Sequence, residues 1–266
     1  MKRKLISFAD SRMAGALKRL RRQAEQMRFF DEIETVTEKE LGQDFREAHA
    51  RYLRPGVRGY GYWIWKPYII LRALNELQDG DELYYVDAGC HFKPAGRKRL
   101  LEYADILESD ALGLAAFQLG EDCSERKFTK MDVLIHMGVQ ENDSVLNSGQ
   151  FCGTHVFLVK NQGTVRFAET WLKEVLVMHH VDDSPSLSAP DPLFLEHRHD
   201  QSIFSILCKL NNVAALPGSE TWPQRQGDWK SLSRYPIWDK RDLGVTLHLI
   251  SRAWRKLGKL WKKGRG

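Results

Sequence analysis

Apolar positions divide the chain into short continuous runs, typical of buried strands, and longer stretches with the three- and four-residue spacing of helices. The first elements predicted in this way are a strand at 4–9, a helix at 13–27, a strand at 33–36 and a helix at 38–53. Strands and helices in alternation predict the beginning of a doubly wound α/β sheet. No Gly-x-Gly-x-x-Gly or Walker-type loop follows the first strand, which counts against a Rossmann dehydrogenase and a P-loop ATPase.

The same two patterns continue through the rest of the chain. They predict helices at 68–77, 96–108, 128–137, 165–179 and 202–210, and strands at 82–86, 111–119 and 151–160. Between the last two helices, residues 182–192 contain three prolines and three serines and predict a surface loop. A loop of this kind in a compact chain is a candidate lid over a site.

Composition adds little to this picture except through the cysteines. The chain has 266 residues, of which 42% are hydrophobic and 28% charged, as is ordinary for a soluble globular protein. No apolar run reaches the roughly 20 residues that a membrane-spanning helix needs.

The basic first residues resemble the start of a signal peptide, but Asp10 ends the apolar part and we expect a strand. The four cysteines form no Cys-x-x-Cys pair, so we expect reduced thiols in a cytoplasm rather than a zinc site.

Charge is distributed unevenly along the chain. The net charge is +5, and the segment from Asp239 onward has nine basic residues against two acidic ones. Within residues 247–263, leucine, isoleucine and tryptophan recur at helical spacing with lysine and arginine on the opposite arc. A basic amphipathic helix of this kind suits an anionic membrane surface, although Trp254 could instead pack on the domain. We expect no nucleic acid, since phosphate binding does not need an apolar face.

The predicted organisation is one domain at 1–240 and this helix at 241–266.

Candidate chemistry lies at two places in the first half of the chain. The apolar run at 82–86 ends in Asp87-Ala88-Gly89, which predicts a strand that brings one carboxylate to a ligand-binding sheet edge. Upstream, residues 59–67 contain four aromatic residues, two glycines and Lys66. Two interpretations stay open: a core aromatic cluster before a helix, or a site where Lys66 pairs with a phosphate and the aromatic rings pack on a base or sugar.

A third candidate opens the helix at 202–210. Four charged or polar residues, Glu196 to His199, come directly before Asp200-Gln201. The positive end of a helix favours an anion, or a carboxylate whose pKa is lowered. The alternative for Asp200 is simple N-capping.

Taken in order, these motifs resemble a known family. Asp87-Ala88-Gly89, then Asn147-Ser148-Gly149 before a strand, then Asp200-Gln201 opening a helix, is similar to nucleotide-sugar glycosyltransferases of the GT-A fold. The order resembles that of the glycogenin and lipopolysaccharide-galactosyltransferase group, and residues 59–67 look like transferases encoded with bacterial capsule and lipopolysaccharide genes. The resemblance covers roughly residues 4–212. It implies one α/β domain, with a Rossmann-like mixed sheet flanked by helices.

The resemblance also implies roles for particular residues. Asp87 corresponds to the first aspartate of an Asp-x-Asp motif, near the ribose and a diphosphate-bound metal. Asn147 and Gly149 would line the donor-sugar or acceptor side, and the catalytic candidates Asp200 and Gln201 would lie near the anomeric carbon. The full set of donor-binding candidates is Asp10, Lys66, Asp87, Ala88, Gly89, Asn147, Ser148, Gly149 and His199.

The metal is an open question at this point, because Gly89 stands where the family has its second aspartate. Either Asp87 holds Mn²⁺ or Mg²⁺ together with His199 or His248, or cations such as Lys66 and Arg198 take the place of the metal. Both arrangements would stabilise the negative charge of a departing diphosphate.

The predicted function follows from the resemblance and the basic segment. It is transfer of a sugar from a UDP- or GDP-sugar to a glycan or lipid-linked acceptor, in bacterial surface polysaccharide synthesis at the inner face of the cell membrane. Two alternatives remain: a glycoside hydrolase, which uses two carboxylates and no nucleotide, and a non-catalytic peripheral membrane scaffold.

Overall fold

The computed structural model describes residues 1–242. The predicted helix over 247–263 and His248 lie outside the described residues. Within them, no helix is both long enough and apolar enough to cross a membrane.

Eight strands and ten helices form the described part of the chain. The strands are β1 Arg3–Phe8, β2 Glu32–Val36, β3 Glu82–Val86, β4 His91–Phe92, β5 Leu114–Gln118, β6 Phe151–Val159, β7 Ala214–Pro217 and β8 Ile237–Trp238. The helices are α1 Ala14–Met27, α2 Gln43–Ala48, α3 Gly59–Tyr62, α4 Trp65–Glu76, α5 Arg97–Ser109, α6 Glu125–Phe128, α7 Met131–His136, α8 Asp143–Asn147, α9 Gln162–Val175 and α10 Asp200–Leu210.

Six strands form one mixed sheet in the order β2-β1-β3-β6-β5-β7. β1 is parallel to β2 and β3, β6 is antiparallel to β3 and β5, and β7 is parallel to β5. β4 and β8 pair in a separate two-stranded sheet. The predicted α/β fold with a mixed sheet flanked by helices is therefore confirmed.

Helices cover both faces of the sheet, which explains the continuous apolar run of β3. Leu83 and Tyr85 pack with residues of α4, α9 and α10 on one face, whereas Tyr84 and Val86 pack with α1 and α5 on the other. Every residue of β3 is buried. A strand enclosed on both faces loses the polar–apolar alternation of a half-exposed strand.

Several predicted boundaries were wrong, most of all the helix at 38–53. Only Gln43–Ala48 is helical there, and Phe45 is its single buried residue. Turns carry Leu41 and Leu53 into the core instead. α9 begins at Gln162 because Asn161 and Thr164 form a capping box, and it ends at Val175, before a separate 3-10 turn at Met178–His180.

Candidate active site

The carboxyl ends of β1 and β3 meet at the point where the sheet order reverses. From β1 the chain moves to β2 on one side and then to β3 on the other. Asp10 follows β1 and Asp87 follows β3, so both aspartates lie at this edge. In open α/β sheets, ligands bind at such a switch point.

Asp10 and Asp87 are engaged differently at this edge. The Asp10 carboxylate accepts hydrogen bonds from the backbone N–H of Arg12 at 3.0 Å and from its guanidinium Nε at 2.8 Å. Asp10 therefore caps the 3-10 turn before α1. Asp87 has 31% of its side chain exposed, which makes it the more accessible carboxylate of the two.

The aromatic segment before α4 has an unusual backbone. Five consecutive residues, 59 to 63, have positive φ angles, and three of them are not glycine: Tyr60, Tyr62 and Trp63. Left-handed backbone costs an ordinary residue about 1–2 kcal/mol. Such strain concentrates at functional sites, where the surrounding structure has to maintain it. Although α3 falls within this segment, the dihedral angles of Tyr60 and Gly61 are not those of a right-handed helix, and 59–63 is a left-handed turn.

Packing against the end of β1 holds this left-handed turn. The Trp65 ring stacks on Phe8 with centroids 3.9 Å apart, and Tyr60 lies 6.1 Å from the same ring. The Trp65 indole N–H also donates a hydrogen bond to the Gly59 carbonyl at 2.9 Å. These contacts agree with the core-cluster interpretation, because the rings of Tyr60 and Trp65 pack in the interior before α4. α4 starts at Trp65, which puts Lys66 and Pro67 in its first turn.

Gly59→Ala should destabilise the protein by about 2 kcal/mol or more, since it combines positive φ with a steric clash. A Cβ at residue 59 would lie 2.3–2.5 Å from atoms of the Trp63 ring. Gly15→Ala in α1 is the matched control, because a Cβ there meets nothing within 4 Å. The control should be neutral or slightly stabilising. Urea unfolding of both variants tests this, and equal effects would contradict a strained turn at Gly59.

Lys66 joins the two carboxylates of the site. Its Nζ lies 2.9 Å from Asp200 Oδ2 and 3.6 Å from Asp87 Oδ1, and it donates a hydrogen bond to the Gly153 carbonyl at 3.0 Å. Lys66 is 3% exposed. The Tyr85 hydroxyl donates a short hydrogen bond to Asp87 Oδ1. Residues from α4, β3, β6 and α10 therefore meet around one buried ammonium group.

Burial sets the protonation of this cluster. It raises the pKa of Asp200 to about 6, with the Asp87 charge adding to the effect and Lys66 opposing it. Burial alone would lower the pKa of Lys66, but the carboxylates of Asp200 and Asp87 raise it above its ordinary value. Burial and Asp87 raise the pKa of the Tyr85 hydroxyl as well, so it stays a donor. This direction is opposite to the lowered pKa that a helix terminus favours, because desolvation outweighs the charge of Lys66.

His199, the residue before Asp200, is also strained. Its φ of 54° and ψ of −126° are rare for any residue with a side chain. The ring Nδ1 donates to the Val181 carbonyl at 2.6 Å, and the ring lies 5.6 Å from Tyr62 and 5.3 Å from Trp63 between centroids. Burial lowers the pKa of His199, so the imidazole is neutral. Two strained segments thus meet beside Asp200.

The buried side chain of Gln150 positions Gln201, a role that the sequence analysis missed. Gln201 Nε2 donates to Gln150 Oε1 at 2.9 Å, and Gln150 Nε2 donates to Glu125 Oε2 at 2.9 Å. Gln150 and Glu125 are fully buried. No local sequence pattern distinguishes a buried amide from an exposed one at this position.

Asn147 ends α8, and Ser148 and Gly149 begin the connection from α8 to β6. Asn147 Oδ1 accepts a hydrogen bond from Arg126 Nε at 2.7 Å, and the Ser148 hydroxyl donates to the Val145 carbonyl at 2.9 Å. A Cβ on Gly149 would lie 2.0 Å from the Leu119 carbonyl oxygen. Within residues 1–242, none of the hydrogen bonds of Asn147, Ser148 or Gly149 reaches the Lys66 cluster. Their donor-site role stays a prediction.

Gly89 packs closely against the backbone of Arg241 and Asp242. A Cβ added to Gly89 would lie 3.2 Å from Arg241 Cα. The Gly89 carbonyl accepts a hydrogen bond from the Asp242 N–H at 3.1 Å. Arg19 donates to the Ala88 carbonyl at 3.1 Å and to that of Asp242 at 3.0 Å. Arg19 therefore connects the Ala88 backbone to that of Asp242. A side chain at position 89 would require Arg241 to shift by a few tenths of an ångström.

Cys90, next in the chain, belongs to a buried group that sequence spacing could not reveal. Its Sγ lies 3.3 Å from Asp239 Oδ1 and 3.7 Å from His155 Nε2, and these last two atoms are 2.7 Å apart. Burial raises the pKa of the Cys90 thiol, so the thiol keeps its proton and donates to Asp239. The group attaches the segment after β8 to the turn after β3. All four cysteines are free.

Comparison with known proteins finds similarity at the level of solved structures. No family model and no curated protein matches the sequence. A glycosyltransferase involved in glycosylation of the major capsid of PBCV-1 is 8% identical, with a TM-score of 0.48 over 90% of this chain and 94% of that one. Mouse xyloside xylosyltransferase 1 in its apo form is 9% identical, with a TM-score of 0.45 over 90% and 97%. Galactosyltransferase LgtC in complex with donor and acceptor sugar analogs is 11% identical, with a TM-score of 0.43 over 88% and 86%.

These identities and TM-scores are too low to assign an activity, so function has to rest on the site itself. The decisive geometry is that residues from three separate motifs, Lys66, Asp87 and Asp200, converge at the switch point of the sheet.

The described residues do not form a preformed cage for Mn²⁺ or Mg²⁺ at Asp87. Asp87 Oδ1 is occupied by Tyr85 and Lys66, which leaves Oδ2 for a cation. His199 is turned towards Val181, and Arg198 lies 3.5 Å from the centroid of the Phe128 ring. Of the groups considered as partners or substitutes for a metal, only Lys66 contacts Asp87 among residues 1–242. A hard cation would need most of its ligands from water and a bound phosphate.

Proposed function

We propose that this protein transfers a sugar from a nucleotide-diphosphate donor to a glycan or lipid-linked acceptor. The observation that carries the proposal is the buried Lys66, paired with Asp87 and Asp200 at the switch point between β1 and β3. A ligand-binding edge with two carboxylates, one accessible and one buried, suits a reaction in which positive charge develops on a sugar.

Asp87 is the donor-facing group in this proposal. It is the most exposed of the three, and a carboxylate at a strand end can accept hydrogen bonds from ribose hydroxyls. Tyr62 and Trp63, half-buried beside His199, offer faces for a base or sugar ring.

Asp200 is the group that acts on the sugar. A fixed carboxylate in a buried site stabilises an oxocarbenium-like transition state, and in its ionised form it can also accept a proton from the acceptor hydroxyl. Lys66 positions both carboxylates rather than binding phosphate, because Asp200, Asp87 and the Gly153 carbonyl already surround its ammonium group.

A donor panel tests the proposal. One class of donor, either UDP-sugars or GDP-sugars, offered with and without Mn²⁺, should raise the melting temperature by about 5 °C or more at saturating concentration, and stabilisation by CMP-sugars alone would contradict a diphosphate donor. Asp87→Asn should abolish the shift while the free protein stays folded, with Lys66 still paired to Asp200. If no nucleotide sugar stabilises the wild-type protein, the proposed function is wrong.

A glycoside hydrolase is the second candidate, and one observation favours it. Two carboxylates of which one has a raised pKa, near 6 for Asp200, are also the machinery of glycan hydrolysis. Cleavage of a glycan without any added nucleotide sugar, lost in Asp200→Asn, would replace the transferase proposal with this one.

We further infer that the protein works in bacterial surface polysaccharide synthesis, as a peripheral protein on the inner face of the cell membrane. The alternation of tryptophan and leucine with lysine and arginine over 247–263 supports the membrane part of this inference, and the polysaccharide part rests on the resemblance of residues 59–67. Sedimentation with phosphatidylglycerol vesicles, compared between the full chain and one ending at residue 242, tests it. Equal binding of both proteins would contradict a membrane role for the segment.

A further inference from the structure

A second cluster of ionisable side chains lies apart from the Lys66 site. It joins His136 at the end of α7, Glu174 in the last turn of α9 and His180 at the end of the 3-10 turn that follows. His136 Nε2 lies 2.7 Å from Glu174 Oε2, and His180 Nδ1 lies 3.8 Å from the same oxygen. One donor atom from each of the three residues lies within 4.8 Å of the other two.

The buried member of this cluster is unsatisfied. His180 is 8% exposed, and its Nδ1 has no hydrogen-bond partner within the described part of the chain. If Nδ1 carries the proton, 3.8 Å is too long for a hydrogen bond to Glu174. If it does not, a lone pair faces a carboxylate oxygen. Neither tautomer satisfies this nitrogen, whereas a cation held between the two groups would satisfy both.

The donor set and spacing suit a particular class of cation. Two imidazoles and one carboxylate are ligands for zinc and similar transition metals rather than for Mg²⁺ or Ca²⁺. With bonds of about 2.0–2.1 Å, tetrahedral ligand atoms lie about 3.3 Å apart. The observed separations of 2.7 and 3.8 Å lie on either side of that value. His136 has 46% of its side chain exposed, which gives an entry path and a side open to water.

We propose that His136, Glu174 and His180 bind one divalent transition-metal ion of the zinc class, with the remaining coordination position open to water. The buried imidazole is suitably neutral, because burial lowers the pKa of His180. Metal binding in this proposal does not depend on the proposed sugar transfer.

The position of the cluster gives the ion a structural consequence. The backbone carbonyl of His180 accepts a hydrogen bond from His197 Nε2 at 2.8 Å, and the next carbonyl, that of Val181, holds His199. On α9, one turn before Glu174, the Trp171 indole N–H donates to the Asp200 carbonyl at 3.3 Å. A metal that joins α7, α9 and the 3-10 turn would therefore fix both supports of Asp200.

Titration of the untagged full-length protein with Zn²⁺ and Co²⁺ tests the site. We expect one equivalent to bind by calorimetry and the melting temperature to rise, with no effect of Mg²⁺. His136→Asn, at an exposed position, removes a direct ligand and should weaken Zn²⁺ binding by about 100-fold or more, beyond the loss typical of an outer-shell partner, and should abolish the thermal shift. The control His49→Asn changes a half-buried histidine outside the cluster and should leave affinity unchanged.

Three outcomes would overturn the proposal. They are binding only at millimolar metal, unchanged affinity in His136→Asn, and a thiolate charge-transfer band in the Co²⁺ spectrum. The last would place the ion at Cys90, His155 and Asp239 instead. Because binding is measured without a sugar donor, failure here is distinguishable from failure of the transferase proposal.

Discussion

Asp200→Asn should lower the turnover of sugar transfer by about 100- to 10,000-fold while leaving the donor KM nearly unchanged. The reason is that Asp200 is the buried carboxylate beside the proposed reaction centre, whereas the more exposed Asp87 faces the donor. Asparagine keeps the size of the side chain and removes its charge. Initial rates with the donor found in the panel, measured at saturating acceptor, separate kcat from KM.

Asp143→Asn is the matched control for this variant. Asp143 has 80% of its side chain exposed and pairs with Arg126 on the surface, so its turnover should stay within about twofold of wild type. If Asp200→Asn keeps more than a tenth of the wild-type turnover, Asp200 does not have a direct role in the reaction.

Asp200→Asn should also change how the free energy of unfolding depends on pH. The folded-state pKa of Asp200, about 6, lies above the ordinary value of 3.8. The folded protein therefore binds the additional proton between these values, and its free energy of unfolding falls as pH rises from about 4 to about 6. This contribution is complete below the ordinary pKa and is lost above the raised one. Unfolding experiments across this range should give a shallower slope for Asp200→Asn, and an identical slope would contradict the raised pKa.

Lys66→Met should lower the free energy of unfolding by about 3–5 kcal/mol at neutral pH. The substitution keeps an unbranched apolar stem but removes the cation that faces Asp200 at 2.9 Å and Asp87 at 3.6 Å. The carboxylates are then left with an uncompensated charge in a site that is largely closed to water. Denaturant unfolding measures the loss, and Lys98→Met, on the exposed face of α5, should change stability by less than about 0.5 kcal/mol.

A double variant makes this prediction sharper. If the cost comes from an unpaired Asp200, then Lys66→Met combined with Asp200→Asn should be less destabilised than the sum of the two single variants. Contacting charges normally give coupling energies of about 0.5–3 kcal/mol in such cycles. Additive effects would mean that Lys66 stabilises the fold through its stem and the Gly153 carbonyl alone.

Lys66 is also the residue whose interpretation changes most with the structure. One of the two interpretations left open by the sequence was that Lys66 is a free cation that pairs with a phosphate. In the fold its ammonium group is enclosed by two carboxylates and a carbonyl, so its proposed role is to orient Asp87 and Asp200.

Local pattern was sufficient where one element determines its own environment. The apolar run of β3 predicted a buried strand, and the aspartate after it marked a sheet edge. Asp200 was expected to open a helix, and α10 begins there. The helix at 38–53 failed because only one residue of its short helical part packs into the core, so the turns around it determine that segment.

The sequence by itself therefore determined the mixed α/β class, the strand that carries Asp87 and the helix that starts at Asp200. Only the tertiary structure decided the left-handed turn at 59–63, the direction of the Asp200 pKa shift and the gathering of His136, Glu174 and His180. The physical reason is distance along the chain. Strand and helix patterns arise from neighbouring residues, whereas desolvation, ion pairing and strain depend on side chains contributed by elements far apart in sequence.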